Sequence, residues 1–332
     1  MRIGIDCRKI ADFGIGTYVR GLVHALAELD RGDEEYVLFV PQRVETPFEQ
    51  HVVHAPSYSV RELMVMGRAI AKARLDLFHT PHFVLPWTSC PSITTIHDVI
   101  PVRFPPSQPG GSIYYSLMMR RALRKSVAVL TVSDAAKSAI GDAFPCDPSR
   151  IVVTPNGIDT IFFERGEAAT GRYFLYVGND KPHKNVATLV ESFRGIQGAS
   201  LVLAGAEFAR YRGAAGVTTE GFVSIERLAA LYRGAIALVM PSLEEGFGLP
   251  VAEAMACGTP VIASDIPSLR EVSGGAALHT NDFAPAMRRM MADDSLRKEL
   301  SRSGRERAAR FTWRRCADLT REAYRRAGRR GR

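Results

Sequence analysis

Short apolar segments alternate with amphipathic helical segments along almost the whole chain, and this alternation limits the fold more than any other feature. Strands that are separated by helices pair in parallel, and the helices pack against their sheet. Turn-forming and polar residues interrupt the alternation at 159–172, DTIFFERGEAATGR, which predicts a linker. We therefore predict two parallel-sheet α/β domains, 1–160 and 161–311, followed by a helix at 312–332.

The residue patterns also place the individual elements. In the first half, apolar runs predict strands at RIGID, YVLFV, HVVHA, LDLFHT, SITTIHD, AVLTVS and IVVTP. In the second half, they predict strands at YFLYVG, SLVLAG, VTTEGF, IALVMPS, PVIAS and AALHT. Helices of the first half are predicted near 16–29, 60–73, 112–125 and 134–143. Because open α/β sheets bind ligands beyond the carboxyl ends of their strands, we expect a substrate at that edge of each domain.

The composition is typical of a soluble globular protein, with 46% hydrophobic and 23% charged residues. No apolar run approaches the roughly 20 residues that span a bilayer, so we expect neither a membrane span nor a secretory leader. Five scattered cysteines without a C-x-x-C pair indicate reduced thiols and argue against a zinc site. We therefore expect a cytoplasmic protein.

Most of the net charge of +8 lies at the C-terminal end. Residues 297–332 contain fourteen Lys/Arg and four Asp/Glu, so the rest of the chain is close to neutral. No basic–aromatic module accompanies this charge, so we do not expect a nucleic acid partner. Two interpretations stay open: attraction to an anionic membrane surface, where each basic residue contributes about 1 kcal/mol, and an ordinary solvated charged face.

The strongest chemical signal is the segment 242–264, SLEEGFGLPVAEAMACGTPVIAS. Glu245 and Glu253 stand eight positions apart and bracket a glycine-rich run. Pro250 suits the first turn of a helix, which we place at 249–257. One carboxylate then lies in the loop and the other about one turn into the helix.

The loop before this helix suits an anionic ligand. Gly246 and Gly248 permit positive φ and a close approach by the ligand. Unsatisfied N–H groups and the helix dipole both favour negative charge at a helix start. The two carboxylates would hold vicinal hydroxyl groups beside a phosphate.

This segment resembles the E-x7-E motif of retaining GT-B glycosyltransferases, in particular those of glycosyltransferase family 4. The GFGLP and CGTPVIAS flanks match as well. The resemblance implies two Rossmann-like domains with parallel sheets facing across a cleft, and a C-terminal helix that returns to the N-terminal domain. It implies that Glu253 binds the ribose of a nucleotide sugar and that Glu245 holds the transferred sugar. The residues implied to bind the donor through the loop are Gly246, Phe247, Gly248 and Leu249.

A second glycine pair follows the first predicted strand, in DFGIGTYVRG. Gly14 and Gly16 would let this loop approach a ligand, and Thr17 would open the following helix. A dinucleotide fingerprint is absent, because Val19 stands where the third glycine belongs and no acidic residue ends the second strand. The resemblance implies that Gly14 and Gly16 lie near the donor phosphates and the acceptor. A purely structural turn is the alternative.

His97 follows the apolar run SITTI and therefore falls at the carboxyl end of a predicted strand. The family resemblance implies that this histidine contacts the transferred sugar, with Asp98 orienting the loop. A structural hydrogen-bonding role is the alternative for a lone histidine at this place.

Two lysines follow the predicted strand YFLYV, in the segment YVGNDKPHKN. Cations here would neutralise a leaving diphosphate, which is the main electrostatic need of glycosyl transfer. The resemblance implies this role for Lys184. Asn179 stands where many relatives carry an arginine, so Lys181 is expected either to replace that cation or to lie in solvent.

The loop after VTTEGF is the place where the family contacts the nucleotide base. The resemblance implies contacts from Gly221, Phe222 and Val223, largely through backbone atoms. Because backbone contacts do not require particular side chains, the sequence of this loop does not identify the base.

Together these motifs predict a retaining glycosyltransferase that moves a hexose from a nucleotide sugar to an acceptor hydroxyl. No pair of catalytic carboxylates in a glycosidase context is present, so a two-carboxylate hydrolase is disfavoured. No D-x-D metal site stands out, so we expect a metal-independent enzyme without a cofactor. The residues implied to be catalytic are His97, Lys184 and Glu245.

Donor and acceptor are predicted from shorter matches. HDVIPVRFP and the GN-x-KPHKN form resemble bacterial mannosyltransferases of polysaccharide assembly, which implies GDP-mannose, with a UDP- or dTDP-sugar as the alternative donor. The expected acceptor is a glycan or lipid-linked glycan at the inner face of the membrane. Residues 59–78 form a basic amphipathic segment that would dock there or pack as an ordinary core-facing helix. A non-hydrolysing sugar-nucleotide epimerase of the same fold is the alternative function.

Overall fold

The computed structural model of the protein describes residues 1–30, 32–55, 59–105 and 111–330. These residues form two compact units. The first unit joins 1–157 with the C-terminal segment from Trp313, and the second is 158–312. Among the helices of the described ranges, none is both long enough and apolar enough to cross a lipid bilayer.

The first unit is built on a parallel seven-stranded sheet with the order β3-β2-β1-β4-β5-β6-β7. Its strands are β1 (Arg2–Asp6), β2 (Glu35–Val40), β3 (Glu49–Val52), β4 (Leu77–Thr80), β5 (Ser92–Thr95), β6 (Ala128–Thr131) and β7 (Ile151–Val153). The helices that connect them are α1 (Ile15–Glu28), α2 (Val60–Ala73), α3 (Ile100–Arg103), α4 (Gly111–Lys125) and α5 (Asp134–Ala143).

The second unit is built on a parallel six-stranded sheet with the order β10-β9-β8-β11-β12-β13. Its strands are β8 (Tyr173–Val177), β9 (Ser200–Ala204), β10 (Val217–Gly221), β11 (Ala237–Met240), β12 (Val261–Ala263) and β13 (Leu278–His279). Its helices are α6 (Val186–Phe193), α7 (Ile225–Gly234), α8 (Leu249–Cys257), α9 (Pro267–Ser273), α10 (Phe283–Ala292) and α11 (Asp294–Ala308). The central strands β8 and β11 are buried at every position, because helices cover both faces of the sheet.

The last helix, α12 (Trp313–Arg330), belongs to the first unit. Its Ala317 and Tyr324 lie in one hydrophobic core with residues of α1 and β1. The Tyr324 hydroxyl is hydrogen-bonded to Nδ1 of His79 on β4, at 2.6 Å. A side chain at Gly21 of α1 would collide with the Trp313 ring, so this glycine allows the helix to approach. The predicted return of the C-terminal helix to the N-terminal domain is therefore confirmed.

Several strands are shorter than their predicted runs, and β3, α1 and α3 show the main differences from the sequence predictions. Strand β3 ends at Val52, whereas the predicted run HVVHA extended to residue 55. Helix α1 begins at Ile15, one residue before the predicted range 16–29 and two before Thr17, because Gly14 with φ 54° supplies the N-cap. The short helix α3 was not predicted at all, since four residues are too few to show a helical period.

Candidate active site

Each sheet has one place where the strand order reverses, and such a place forms a ligand crevice in open α/β sheets. In the first unit the reversal lies between β1 and β4, and in the second unit it lies between β8 and β11. The loops that leave these strands at their carboxyl ends are therefore the candidate site segments. Several of the residues singled out from the sequence lie in them.

In the second unit, the loops after β8 and β11 are tied together. The N–H group of Leu243 donates to the carbonyl of His183 at 2.7 Å. The Asn185 side-chain amide donates to the carbonyl of Pro241 at 3.2 Å. Asn185 itself is left-handed, with φ 55°, and turns the chain from a 3-10 turn into α6. These contacts on His183 and Asn185 fix the backbone position of Lys184, the predicted cation, which lies between them.

Lys184 and Glu245 form an ion pair between these two loops. The Lys184 ammonium nitrogen lies 2.7 Å from Oε1 of Glu245. The two side chains are only 14% and 8% exposed, so water screens the pair weakly. The predicted phosphate-binding cation and the predicted sugar-binding carboxylate are therefore direct partners, which no spacing in the sequence indicated. An anionic donor has to share Lys184 with Glu245.

The glycine loop leads into α8 as expected. Helix α8 spans Leu249–Cys257, with Pro250 in its first turn, as predicted. Gly248 is the N-cap in a left-handed conformation with φ 93°, and a side chain there would lie 2.7 Å from Leu269. The helix start has no side-chain cap. Pro250 has no N–H group, and the N–H of Val251 donates to the carbonyl of Gly248 at 2.9 Å, so Leu249 supplies the backbone N–H that an anion can meet in this first turn.

Two residues of the same loop behave differently from Gly248. Gly246 does not use the positive φ that a glycine permits. Phe247 is buried and packs edge-on against Phe311, with ring centroids 5.2 Å apart. The Phe247 side chain is therefore part of the packing of the second unit, and its predicted contact with a donor would have to come from its backbone.

Glu253 lies one turn into α8 and is half-buried. The hydroxyl group of Tyr232 on α7 donates to its Oε2 at 2.9 Å. Burial raises the pKa of Glu253 to about 7; Tyr232 lowers this pKa and the Asp159 carboxylate raises it. Tyr232 thus fixes the orientation of the Glu253 carboxylate. The charge of Glu253 depends on pH in the neutral range.

The loop after β8 contains a second predicted cation, and the structure adds a third. Lys181 is exposed, and its backbone N–H donates to the side chain of Asn179 at 3.2 Å. Arg210, from the loop after β9, pairs with Asp180 at 2.5 Å and lies over the Tyr211 ring. Sequence reasoning missed Arg210 because its loop carries no motif. Its charge is balanced by Asp180, whereas Lys181 lies in solvent.

The loop after β10 presents an aromatic ring. Gly221 is left-handed, with φ 65°, and its carbonyl accepts a hydrogen bond from Gly205 at 2.6 Å. The Phe222 side chain is 64% exposed, followed by the half-buried Val223. Ser224 then caps α7 by accepting from the N–H of Arg227. The loop therefore offers an aromatic face in addition to the expected backbone groups.

In the first unit, only one of the two loop glycines is open. A side chain on Gly14 would meet nothing within 4 Å, so a ligand can approach its backbone. Gly16 lies inside the first turn of α1 and is buried, and a side chain there would lie 2.7 Å from the carbonyl oxygen of Ile10. The expected opening at Gly16 is therefore wrong, because the loop backbone already occupies that space.

His97 lies just beyond β5, next to the reversal point of the first sheet. Its Nε2 lies 3.1 Å from the carbonyl of Pro81, which can only accept, so Nε2 carries a proton. Burial lowers the pKa of His97 to about 4, so the ring is neutral at pH 7 and Nδ1 can accept a hydrogen bond. The ring packs edge-on against Tyr18, with centroids 4.9 Å apart. Both the structural and the sugar-binding interpretation fit this geometry.

A buried ionic cluster at the same reversal point was not predicted. The Arg8 guanidinium lies 2.7 Å from Asp6 and 2.8 Å from Glu62, and the side chains are almost inaccessible to solvent. His82 lies beside the cluster, and burial lowers its pKa, with Lys9 and His97 acting in the same direction. Glu62 comes from α2, so no local pattern could have linked it to Arg8.

Known protein families match nearly the whole chain. The model of Glycosyltransferase Family 4 matches residues 14–162, and the model of Glycosyl transferases group 1 matches residues 157–307. The O-antigen chain mannosyltransferase B of Escherichia coli is 30% identical over 285 residues, which cover 75% of this chain and 74% of that protein. The chain belongs to glycosyltransferase family 4.

Solved structures place this family 4 glycosyltransferase in the GT-B fold. Sucrose-phosphate synthase from Thermosynechococcus elongatus superposes with a TM-score of 0.81 at 21% identity, covering 98% of both chains. Anabaena Alr3699/HepE in complex with UDP-glucose superposes with a TM-score of 0.79 at 15% identity, covering 98% of this chain and 99% of the other. In this family 4 enzyme, the Lys184–Glu245 pair and Glu253 all lie in the segment that matches Glycosyl transferases group 1.

Proposed function

We propose that this glycosyltransferase is a retaining, metal-independent hexosyltransferase that moves mannose from GDP-mannose to a hydroxyl group of a glycan or lipid-linked glycan. Its place would be the cytoplasmic side of the membrane, in the synthesis of bacterial surface polysaccharide. The observation that carries the proposal is the Lys184–Glu245 pair at the reversal point of the second sheet. Beside it, α8 starts without a side-chain cap and carries Glu253 one turn later.

This arrangement supplies what glycosyl transfer needs from a protein. As the acceptor oxygen forms its bond to the anomeric carbon, the bond from that carbon to the diphosphate breaks, and the acceptor proton passes to the leaving diphosphate. The negative charge that develops there is stabilised by a fixed cation and by N–H groups at a helix start. Lys184 and the backbone of 246–249 would fill this role, with Lys181 as an additional cation.

Glu245, Glu253 and His97 would orient the donor. When the diphosphate draws Lys184 toward itself, the Glu245 carboxylate can accept hydrogen bonds from sugar hydroxyl groups. Glu253, held by Tyr232, would accept from the ribose hydroxyls. His97 would accept from the sugar through Nδ1, since its Nε2 proton is directed at Pro81. Positioning of this kind is a large part of the rate enhancement in group transfer.

Transfer of mannose is supported by similarity to the O-antigen chain mannosyltransferase B of Escherichia coli, and GDP is the nucleotide that we propose for this donor. The UDP-glucose complex of the Anabaena protein keeps a UDP-sugar as the second candidate donor. Phe222 offers an exposed ring on which a base of either kind can stack.

A panel of nucleotides tests the donor proposal. Thermal shifts are measured with GDP, UDP, dTDP, GDP-mannose and UDP-glucose, since a ligand that binds the folded state raises its apparent stability. We expect GDP and GDP-mannose to give the largest shifts. A shift with UDP and none with GDP would refute the mannose assignment.

Two further assays test the reaction class. NMR of the early product on a soluble acceptor should show the same anomeric configuration as the donor, and inversion would contradict a retaining mechanism. The donor is also incubated without acceptor. Appearance of a second sugar nucleotide there would support the sugar-nucleotide epimerase alternative.

A further inference from the structure

The first unit presents a surface on which four large apolar side chains lie in solvent. We call it the basic–apolar face, and it consists of α2, the loop 81–91 and α4. Its Met64, Trp87, Ile113 and Leu117 are between 40% and 65% exposed. Large apolar side chains gathered on one surface of a folded protein mark an interaction site.

The three parts of this face are packed against one another and form one surface. Leu63 of α2 and Met119 of α4 belong to the same hydrophobic cluster. A side chain at Gly67 of α2 would lie 2.7 Å from the carbonyl oxygen of Trp87, so the loop rests on the helix. Arg121 of α4 donates to two carbonyl groups of the same loop, at 3.2 and 3.3 Å.

Basic residues accompany the apolar ones on the same helical stripes. Arg61, Arg68 and Lys72 are exposed on α2, at the helical spacing that places them beside Met64. On α4, Arg120 and Arg124 are exposed beside Ile113 and Leu117 at the same spacing. Each helix therefore shows a mixed apolar and cationic stripe to the solvent.

Among the described residues of α2, the loop 81–91 and α4, no exposed side chain is acidic. No Asp or Glu occurs at 77–97 or at 99–133. The single acidic residue of α2, Glu62, points inward and is paired with Arg8 at 2.8 Å. The partner that this surface fits is therefore anionic, and it has an apolar layer within reach of the tryptophan and the aliphatic side chains.

Many basic residues of the C-terminal segment have hydrogen-bond or ionic partners within the protein. Arg305 and Arg307 donate to backbone carbonyls of the second unit at the ends of α8 and α9. Arg321 and Arg325 both pair with Glu34. Other basic residues of the segment with ionic partners in α11 and α12 are Arg297, Lys298, Arg302 and Arg326.

We propose that the basic–apolar face docks on an anionic lipid bilayer. Trp87, Met64, Ile113 and Leu117 would enter the interfacial layer, and the arginines and Lys72 would contact lipid phosphates. Basic residues near such a surface contribute about 1 kcal/mol each, and a tryptophan is well suited to the interface. The use of this contact rests on the proposed function, because a lipid-linked acceptor would be presented by the same membrane.

The basic–apolar face lies at a position where a membrane could present a lipid-linked acceptor to the first unit. Helices α2 and α4 start at the carboxyl edge of the first sheet, and the loop 81–91 leaves β4 at the same edge. The reversal point between β1 and β4 and the His97 loop lie at this edge too. A membrane-bound acceptor would therefore meet the edge at which open α/β sheets bind ligands.

Co-sedimentation of the full chain with lipid vesicles tests the proposal without donor or acceptor. Vesicles of phosphatidylcholine alone are compared with vesicles that contain phosphatidylglycerol. The variants are Arg68→Glu/Lys72→Glu, Arg120→Glu/Arg124→Glu and Trp87→Ser/Leu117→Ser. The matched control is Arg288→Glu/Arg289→Glu, which reverses two exposed charges on α10 of the second unit.

We expect the wild type to bind only the anionic vesicles, and each charge-reversal variant of the face to bind at least about tenfold more weakly. The serine variant should also lose binding, and the control should keep it. Equal binding by face variants and control, or no wild-type binding, would overturn the proposal. Sedimentation velocity is run alongside. A wild-type dimer that the face variants convert to monomer, without vesicle binding, would show that a second copy covers the face.

Thermal shift with nucleotides and activity on a soluble acceptor are measured on the same variants. The face lies outside the proposed donor site, so both should stay at wild-type values, and loss of folding would appear as a lowered melting temperature. Vesicle binding can therefore fail while the proposed transfer reaction is confirmed. The assays would equally show vesicle binding by a protein that does not catalyse the proposed transfer.

Discussion

The hydroxyl group of Tyr232 donates to Oε2 of Glu253 at 2.9 Å, and Tyr232 itself is completely buried. One oxygen of the carboxylate is thus held by the protein, and burial raises the pKa of the group to about 7. A raised carboxyl pKa means that the folded state binds a proton more tightly than the unfolded chain does. Ionised Glu253 therefore destabilises the fold, which suggests that this carboxylate is kept for a ligand.

Replacing Glu253 with glutamine separates stability from binding. The pKa of Glu253 is raised from its ordinary value of 4.5 to about 7. The free energy of unfolding of the wild type therefore falls as the pH rises from 4.5 to about 7. A tenfold change in proton affinity corresponds to about 1.4 kcal/mol, so Glu253→Gln should gain roughly 1–3 kcal/mol above pH 7 and little below pH 5. Urea denaturation at pH 5 and pH 8 measures this difference. An equal effect at both pH values would contradict the raised pKa.

The same variant should bind the nucleotide more weakly. A carboxylate accepts two ribose hydroxyl groups, whereas a carboxamide keeps one acceptor, so we expect roughly tenfold lower affinity in Glu253→Gln. Wild-type affinity should rise between pH 6 and pH 8 relative to that of the variant, because the carboxylate ionises in this range. Isothermal titration with the nucleotide measures both effects. A variant that is more stable at pH 8 and binds equally well would remove Glu253 from the donor site.

The Lys184–Glu245 pair predicts non-additive behaviour. Lys184→Met leaves a buried carboxylate and Glu245→Leu leaves a buried ammonium, and each should lower the free energy of unfolding by roughly 3–5 kcal/mol. The double variant should recover most of this stability. It should still show kcat reduced by about 10²–10³, the usual effect of removing a group that stabilises developing charge. Recovery of activity in the double variant would show that the pair is only structural.

The cation missing at Asn179 can be located by two substitutions. Lys181→Ala should lower kcat about tenfold if its ammonium group reaches the diphosphate, since a surface-exposed cation contributes about 1 kcal/mol or slightly more. Arg210→Ala should have less effect, because Asp180 balances the Arg210 charge. Steady-state kinetics at low and high salt compares kcat of the two variants with that of the wild type. The reverse order would identify Arg210 as the diphosphate cation.

Metal independence is tested by chelation. We expect the transfer rate to be unchanged in EDTA, because Lys184, Lys181 and the start of α8 would supply the positive potential that a cation provides elsewhere. Activity is measured after dialysis against the chelator, with and without added Mg²⁺ or Mn²⁺. A rate lost in EDTA and restored by either metal would contradict the prediction.

Sequence patterns predicted local structure well where the signals are local. Pro250 and the glycines around it placed α8 at the residues that the structure shows, and the strands β8 and β11 follow from their apolar runs. The predicted helix near 16–29 matches α1 to within one residue, but Gly14 and Gly16 could not be told apart from the sequence. Their environments decide which is open, and Ile10 fills the space at Gly16.

Contacts between distant segments could not be predicted. Lys184 and Glu245 were each assigned to the donor site, but their ion pair joins positions 61 apart. Arg8 and Glu62 are 54 apart, and Glu62 belongs to an amphipathic helix whose pattern indicates no partner. A long-range ionic pair needs only one charged residue on each segment, which is too common a pattern to identify the two residues that meet.

The attachment of α12 to the first unit provides a matched pair of arginines for a stability test. Arg321 and Arg325 each donate to Glu34 at 2.7 Å, but the Arg321 side chain is 9% exposed and that of Arg325 is 55% exposed. Burial raises the pKa of Glu34, and hydrogen bonds from Tyr36 and the two arginines outweigh this and lower it. Arg321→Ala should cost roughly 2–4 kcal/mol and Arg325→Ala at most about 1 kcal/mol.

Acid titration supplies the control for this last pair. The lowered pKa of Glu34 means that its ion pairs stabilise the fold above its ordinary pKa of 4.5 and are lost as the pH falls through the lower folded value. The difference in the free energy of unfolding between wild type and Arg321→Ala should therefore have its full size at pH 7 and become smaller below pH 4. Urea denaturation followed by tryptophan fluorescence is run in a Trp87→Phe background, so that Trp313, the first residue of α12, is the remaining reporter. A difference that persists unchanged at low pH would show that Arg321 acts through packing of its aliphatic stem and not through Glu34.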